Sequence, residues 1–442
     1  MTTQYVHWFR NSAPYINAHR GKTFVIQFSG EAVYHEQFSN LIHDLALLES
    51  LGVNLVIVHG IRPQIESELA ELGLSSDFHD HLRVTDEVTL RYVKRAAGEV
   101  RLDIEALLSM GLANSPMAGA RIRVASGNFV TAKPLGVRDG IDYGHTGEIR
   151  SIDNDSIRSH LNRGEVVIIS PIGFSPTGEM FNLAAEEVAT AIATELRASK
   201  LILLVEPNEV IKHRQKIVRQ LTLDEAHRFV REIQETEDPP YQHLSNALRA
   251  CSDGVKRAHL VDRTIDGALI AELFTRDGVG TMISADRYED TRHATIDDVG
   301  GILELIEPLE QDGTLVRRSR EKLEHEIDRF LVMERDGTII ASAALYPLDD
   351  DGSFELACVA VHPDYRNLGR GESLMEDLEH HARSLGATRL FILTTRTPHW
   401  FQEMGFVPVT VEQLPTERKL LYNYQRNSRV LAKNLADAHK KS

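Results

Sequence analysis

The sequence predicts two folded bodies in series: an α/β domain on a mainly parallel sheet, then a smaller α+β domain. Three observations lead there. In the first half, short apolar runs ending in glycine alternate with amphipathic stretches at helical spacing, the pattern of a parallel sheet covered by helices on both faces. Near residue 290 that alternation stops at a charged stretch. Beyond it, strands follow one another directly between helices. At 442 residues, the chain also exceeds what one core usually holds.

The elements read in order as follows. "TQYVHWFRNSAPYINAH" is a helix apolar enough to need a partner, and residues 1–20 are set apart on that ground. "KTFVIQFSG" and "NLVIVHG" are buried strands. Between them "EQFSNLIHDLALLESLG" carries Leu41, Leu45 and Leu48 at helical spacing before Gly52. The pattern returns in "EVVIISPIG", "AAEEVATAIATELRAS" and "KLILLVE", and ligands of such sheets collect at the carboxyl ends of the strands. Turn residues punctuate "GARIRVASGNFVTAKPLGVRDGIDYGHTGEIRSID", which predicts a hairpin excursion from the sheet. Residues 208–258 read as polar and helical, with "ETEDPPY" an exposed loop. "DRYEDTRH" marks a boundary at 286–292, so the first domain spans 21–286 and the second 291–442. In the second, "ERDGTI" predicts a hairpin turning at Asp336-Gly337.

Composition narrows the function classes. With 42% hydrophobic and 26% charged residues the chain is a globular protein. A net charge of −16 argues against a sequence-independent nucleic-acid binder, which needs a basic face. The two cysteines, Cys251 and Cys358, fit neither a disulfide framework nor a metal spacing. No window is apolar enough to span a bilayer, and the first residues lack a cleavage pattern. The expectation is a cytoplasmic enzyme with no metal, membrane or nucleic-acid partner.

One motif carries chemistry. "VHPDYRNLGRG" follows the apolar run "SFELACVAVH" and precedes "GESLMEDLEHHARSLGA", whose Leu374, Met375, Leu378, Ala382 and Leu385 form a helical stripe. The motif therefore ends at a helix N-terminus, where amide N–H groups lack intrahelical partners and the dipole favours an anion. Gly369 and Gly371 let a pyrophosphate approach the amides of Leu368 to Ser373, with Arg370 as counter-charge. Glycines that merely turn a corner are the simpler account of the same residues.

The arginine three residues before the first glycine, and the Val-x-Pro before that, decide between them. The stretch resembles the acetyl-CoA loop of the GNAT N-acetyltransferases, and "HWFQEMGF" resembles that family's closing helix and turn. The resemblance implies acetyl-CoA as co-substrate, held by Cys358, Val359, Val361, Arg366, Leu368, Gly369, Arg370, Gly371, Glu372 and Ser373. It implies a strand splaying at Cys358 and Val359, whose main-chain N–H holds the tetrahedral oxyanion during direct attack by an amine. Glu355 is a candidate general base, directly or through water, and equally an ion-paired surface glutamate. Phe401 stands where many relatives carry a tyrosine that protonates the leaving thiolate, which leaves another group or water for that task. With no histidine partner in evidence, Cys358 reads as a small core residue.

Residues 20–285 resemble the amino-acid kinase family through "FVIQFSGEAV", "VIVHGIRPQI", "RVTD", "DGIDYGHTGE" and "FNLAAEEVATAIATELRASKLILL". This implies a three-layer sandwich. The departures are Gln27 for the phosphoryl-stabilising lysine, Ile61-Arg62 for two loop glycines, and Ala184 within the Asn-x-Asn-Ala-Asp block. Phosphoryl transfer depends on positioned charge, so the domain is expected to be catalytically dead. Its fusion to a GNAT domain resembles the amino-acid acetyltransferases that make N-acetyl-L-glutamate from acetyl-CoA and L-glutamate, the entry to arginine synthesis. That implies carboxylate-binding roles for Arg317, Arg426 and Ser428, with Arg318 and Arg396 as secondary candidates. It further implies L-arginine as an inhibitor bound by Tyr15, His259, Glu272 and Gly278, and a hexamer linked through the N-terminal helix. Plain support of the fold is the other account of His259 and Glu272. Rival functions are a bifunctional enzyme with live kinase activity, an arginine sensor with an inactive transferase, and acetylation of another amine such as a protein lysine.

Overall fold

The computed structural model describes residues 2–79, 81–111, 113–213, 216–234, 241–275, 278–284, 290–335, 338–348, 352–363 and 370–435. The chain divides into two compact units, Met1–Arg287 and Tyr288–Ser442.

The first unit opens with α1 (Thr2–His19), β1 (Thr23–Phe28), α2 (Phe38–Ser50), β2 (Asn54–His59), α3 (Arg62–Glu71) and α4 (Glu87–Leu108). Next come β3 (Arg123–Ala125), β4 (Val130–Pro134), β5 (Gly147–Ile152), α5 (Asn154–Asn162), β6 (Glu165–Ile169), β7 (Ile172–Phe174), β8 (Met180–Asn182) and α6 (Ala185–Glu195). It closes with β9 (Lys200–Val205), β10 (Gln220–Thr222), α7 (Leu223–Gln234), α8 (Tyr241–Ser252), β11 (Arg257–Asp262), α9 (Ala268–Phe274) and β12 (Thr281–Ser284). The main sheet runs β10-β12-β11-β9-β1-β2-β6-β3 and is parallel except for the β11/β12 pair.

Both faces of this sheet are covered, which explains the unbroken apolar runs. Phe24, Ile26 and Phe28 pack with Ile42 and Leu45 of α2, Val93 of α4 and Leu273 of α9. Val25, one residue out of phase, packs on the other face with Val188 of α6 and Leu244 of α8. Truncating one of the fully buried strand residues, such as Ile26, to Ala costs about 2–5 kcal/mol.

Two readings are corrected in detail. The hairpin excursion is split: β3 joins the edge of the main sheet, while β4 and β5 join β7 and β8 in a separate sheet ordered β8-β7-β4-β5. The polar segment 208–258 holds α7 and α8 as read, but also a Lys212–His213/Lys216–Ile217 ladder and the edge strand β10. Strands of two or three residues are too short to display a period. Most of "ETEDPPY" lies outside the described residues.

The second unit comprises β13 (Asp290–His293), α10 (Val299–Gln311), α11 (Arg320–His325), β14 (Phe330–Arg335), β15 (Thr338–Pro347), β16 (Ser353–Val361) and α12 (Arg370–Ser384). It ends with β17 (Arg389–Thr394), α13 (Pro398–Glu403), β18 (Val407–Val409), α14 (Thr416–Leu420) and β19 (Arg429–Asn434). Its sheet runs β13-β14-β15-β16-β17-β19-β18, with β16/β17 the parallel pair and the other pairs antiparallel. Phe330 and Val332 face α10, whereas Leu331 and Met333 face α12. The Asp336-Gly337 turn lies outside the described residues. Among those residues no helix is long and apolar enough to cross a membrane, and no cluster of three or more His, Cys, Asp or Glu side chains is placed to hold a metal ion.

Candidate active site

The centre of the second sheet is broken at one place. Along β15/β16, Ala344 pairs with Ala357 and Ser342 pairs with Ala360, so Cys358 and Val359 together face Ala343 alone. This is a β-bulge, and Cys358 adopts a left-handed backbone with φ of 54°. The bulge reverses the side-chain pattern: Phe354 and Leu356 pack towards α12, but Cys358 and Ala360 pack towards α10. On its other side β16 pairs with β17 only from Ser353↔Arg389 to Leu356↔Ile392. Beyond Leu356 the two strands part, which leaves the main chain at Cys358 and Val359 beside a gap. The Cys358 thiol is buried, and burial pushes its pKa up to about 11 against the pull of Arg318. A thiol held protonated is a poor nucleophile.

On the α10 face, Glu355 is held by both arms of Arg418 from α14, at 2.5 Å from Nε and 3.0 Å from Nη2. Beside it in register stands Tyr346, whose hydroxyl donates to Glu326 Oε2 at 2.7 Å. Burial and that hydrogen bond raise the Tyr346 pKa.

The loop between α10 and α11, residues 312–319, gathers the candidate carboxylate binders. Arg396 donates to Asp312 Oδ2 at 2.8 Å and to the Asp312 carbonyl at 3.2 Å. Arg426 donates from Nη2 to the carbonyls of Gly313 (3.4 Å) and Thr314 (2.6 Å). Asn427, at φ of 48°, turns the chain into Ser428, which is buried and accepts from the Tyr422 hydroxyl through its carbonyl at 2.7 Å. Arg317 is exposed, and its neighbour Arg318 is half-buried.

Of the anion-loop residues, Arg366, Leu368 and Gly369 lie outside the described residues. Arg370, Gly371, Glu372 and Ser373 form the first turn of α12. A Cβ at Gly371 would come within 2.8 Å of Trp400 Cζ2, and Trp400 Nε1 donates to Glu372 Oε1 at 3.4 Å. The glycine thus serves close packing at the helix start as well as access. Phe401 is buried edge-on to Trp400 and Phe406, in the core and with no proton to give.

The first unit has its own strand-end cleft, a cavity of about 690 Å³ lined by Gly30, Gly60, Ile61, Ala184, Glu186 and Glu206, among others. Gln27 is fully buried and donates to Glu186 Oε1 at 3.3 Å. His59 is buried between the Gly60 carbonyl (3.3 Å) and Ser170 Oγ (3.0 Å), and burial lowers its pKa to about 4.

The regulatory candidates lie at the opposite ends of the same strands. His259 Nδ1 is 2.7 Å from Glu272 Oε1, and Glu272 Oε2 accepts the amides of Val279 and Gly280 at 2.7 Å each. Burial opposes the charge on Glu272, but His259 and the two amides hold its pKa down. Gly278 has φ of 61°, and a Cβ there would overlap the Glu272 carboxylate. Tyr15 sits one turn before His19, which docks α1 on the Leu273 carbonyl at 2.8 Å and packs edge-on to Phe24 and Phe274. Buried Lys200 stands 3.4 Å from His259 Nε2; neither it nor Arg418 nor His19 belongs to a sequence motif. A lone cation in an apolar run was the only signal for Lys200.

Comparison with known proteins matches this geometry on both units. The amino acid kinase family model matches residues 22–262, and the acetyltransferase (GNAT) family model matches residues 301–406. An amino-acid acetyltransferase of Azotobacter vinelandii is 54% identical over 431 residues, covering 98% of this chain and 99% of its own. The chain belongs to the amino-acid acetyltransferase family. N-acetylglutamate synthase from Neisseria gonorrhoeae, crystallised with coenzyme A and L-arginine, is similar at 35% identity and a TM-score of 0.87, covering 98% of this chain and 99% of that one. The same enzyme crystallised with coenzyme A and N-acetyl-glutamate gives a TM-score of 0.62 over the same shares. The family's reaction is an amino-acid N-acetylation, and acetyl-CoA is the co-substrate.

Proposed function

We propose that the second unit carries out N-acetylglutamate synthesis at the Cys358–Val359 bulge, with L-glutamate as acceptor. The observation that carries this is the gap between β16 and β17 at the bulge, where the Arg318 guanidinium is an electrostatic neighbour of the Cys358 thiol. The pantetheine arm lies along the free edge of β16, and the pyrophosphate rests on the α12 N-terminus with Arg366, Leu368, Gly369, Arg370, Gly371, Glu372 and Ser373 around it. The main-chain N–H at Cys358 or Val359 holds the carbonyl oxygen as it becomes an oxyanion. The glutamate nitrogen, after losing a proton to solvent or to Glu355 through water, forms the C–N bond as the C–S bond breaks. The thiolate then takes a proton. Arg317, Arg396, Arg426 and Ser428 hold the acceptor.

In this reading the first unit is a kinase-like domain without phosphoryl transfer, and L-arginine is a feedback ligand at Tyr15, His259, Glu272 and Gly278. Exposure of Val6, Trp8 and Phe9 on α1 supports assembly of copies through that helix, as a hexamer. Two free, buried cysteines favour a reducing, cytoplasmic setting.

The test is CoA release from acetyl-CoA with glutamate, aspartate, glutamine or ornithine, each with and without arginine. Glutamate-dependent release that arginine suppresses is expected; no release with glutamate rejects the acceptor assignment. Arg426→Ala raises the glutamate KM about 100-fold and leaves the acetyl-CoA KM unchanged; parallel changes in both count against its role.

A further inference from the structure

Glu355 is a charged residue on β16, the middle strand of the second unit's sheet. Tyr346 stands in register on one side of it and Phe391 on the other, and its chain neighbours Phe354 and Leu356 are core residues. An apolar side chain would serve the fold better there, because a carboxylate taken out of water is costly unless it is paired.

Arg418 supplies the pair. Reaching from α14, it sets Nε 2.5 Å from Glu355 Oε2 and Nη2 3.0 Å from Oε1. This two-armed fork matches a guanidinium to a carboxylate and fixes the carboxylate plane. The third nitrogen, Nη1, is anchored on the Leu421 carbonyl at 3.3 Å. Side-chain exposure is 21% for Arg418 and 14% for Glu355, against 71% and 38% in the pair Arg320–Glu324 of the same unit. Exposed pairs contribute little to stability, and shielded ones are often no better than apolar residues of similar volume. Fold stability alone therefore does not account for Arg418 and Glu355.

Their place in the sheet does. β16 parts from β17 just past Glu355, at Leu356. The bulge turns Cys358 to the face on which Glu355 lies, and the carboxylate is among the charged neighbours of the Cys358 thiol. Tyr346, beside it, donates to Glu326 instead. A carboxylate has about four lone-pair sites. Arg418 takes one on each oxygen, which leaves one on each to receive a proton.

Given the acetyl transfer and the Glu355 base proposed above, we infer that Arg418 is a positioning residue: it holds the Glu355 carboxylate at the bulge in the orientation that takes a proton from the acceptor's ammonium, directly or through one water. One N–H bond breaks, its proton goes to Glu355, and the electron pair stays on nitrogen. That pair forms the C–N bond. As the C–S bond breaks, the second surplus proton of the nitrogen leaves for the thiolate, and Glu355 returns its own to solvent. Arg418 acts in this sequence only through Glu355.

The experiment measures kcat with glutamate, and the acetyl-CoA KM, for full-length Glu355→Gln, Arg418→Ala, Arg418→Lys and the double variant Glu355→Gln/Arg418→Ala. Glu355→Gln and Arg418→Ala each lower kcat about 100-fold and leave the acetyl-CoA KM unchanged. The double variant is no slower than Glu355→Gln, because the arginine has no carboxylate left to position. Guanidinium chloride below denaturing concentrations restores part of the kcat of Arg418→Ala and nothing in the double variant. Arg418→Lys, which offers a point charge in place of the fork, falls between wild type and Arg418→Ala. Losses that multiply in the double variant overturn the proposal, since Arg418 would then act by another route. If Arg418→Ala does not fold, Arg418→Lys decides: a lowered kcat at unchanged melting temperature supports the proposal, and an unchanged kcat overturns it. Full activity of Glu355→Gln rejects the base and the proposal with it, whereas its loss beside a wild-type kcat in Arg418→Ala rejects the part of Arg418 alone. A wild-type enzyme that releases no CoA with glutamate rejects the reaction itself, a result distinct from both.

Discussion

The two units each place a site at the carboxyl end of central strands, and the two sites differ in what lines them. In the first unit carboxylates lining the large cleft are engaged, although Gln27 Oε1 and Arg263 Nη1 beside it are sealed without partners. Glu186 is taken by Gln27, Glu206 by both arms of Arg263 at 2.5 and 2.8 Å, and Glu209 by the Glu206 amide beside His243. In the second unit a slit between two strands leaves main-chain groups at the bulge and two guanidinium edges unmet. Sealed polar atoms without partners occur in both units, so what distinguishes the second is main chain left unpaired between two parted strands.

The sharpest way to break this contrast is at Cys358. Valine resists a positive φ, so Cys358→Val shifts the bulge and lowers kcat about 100-fold, measured as CoA release. Cys358→Ala keeps activity within a few-fold, because the thiol is not the nucleophile. Complete loss in the alanine variant would restore a covalent role and sink the direct-attack account.

The next effect falls beneath the first unit's cleft, next to its lining residue Gly60. His59 has a folded pKa near 4 against an ordinary 6.5, because burial disfavours its charge. As pH falls, the unfolded chain takes the proton first. Stability is thus full above about pH 7, declines between 6.5 and 4, and stays flat below that. The total is about 3 kcal/mol. Urea midpoints of wild type and His59→Asn across that range measure it, and identical slopes would show that His59 is not the group. His259, lowered in the same direction by burial and Lys200, keeps a residual slope in the variant.

The smallest expected effect is none. Gln27→Lys restores the family's charge but not the loop, since Ile61 still stands against the cleft and Glu186 is at hand to pair with the new cation. ADP formation from ATP with acetylglutamate stays at background. Its appearance would favour the bifunctional rival.

Much of this was legible in sequence, and the illegible parts share a cause. Apolar runs ending in glycine declared the parallel sheet because each strand is buried on both faces. "VHPDYRNLGRG" declared a strand feeding a helix start. The bulge was not legible as geometry: nothing in "ACVAV" signals a left-handed cysteine, since the neighbouring strand imposes it. Nor does "LVRRSR" say which arginine turns inward, because adjacent residues share composition and differ only in direction. Arg418 meets Glu355 across 63 positions of sequence, a distance at which local pattern carries no information.

The parting of β16 and β17 has one more consequence. A sheet border with unmet main-chain groups ordinarily invites a strand from another molecule, a route to aggregation. Here the inviting edge lies inside the sheet, walled by a strand on each side, where a slender single arm can slide in and a second polypeptide cannot. The true borders, β13 with four residues and β18 with three, are too short to template a foreign strand. The unit keeps its adhesive edge for its ligand.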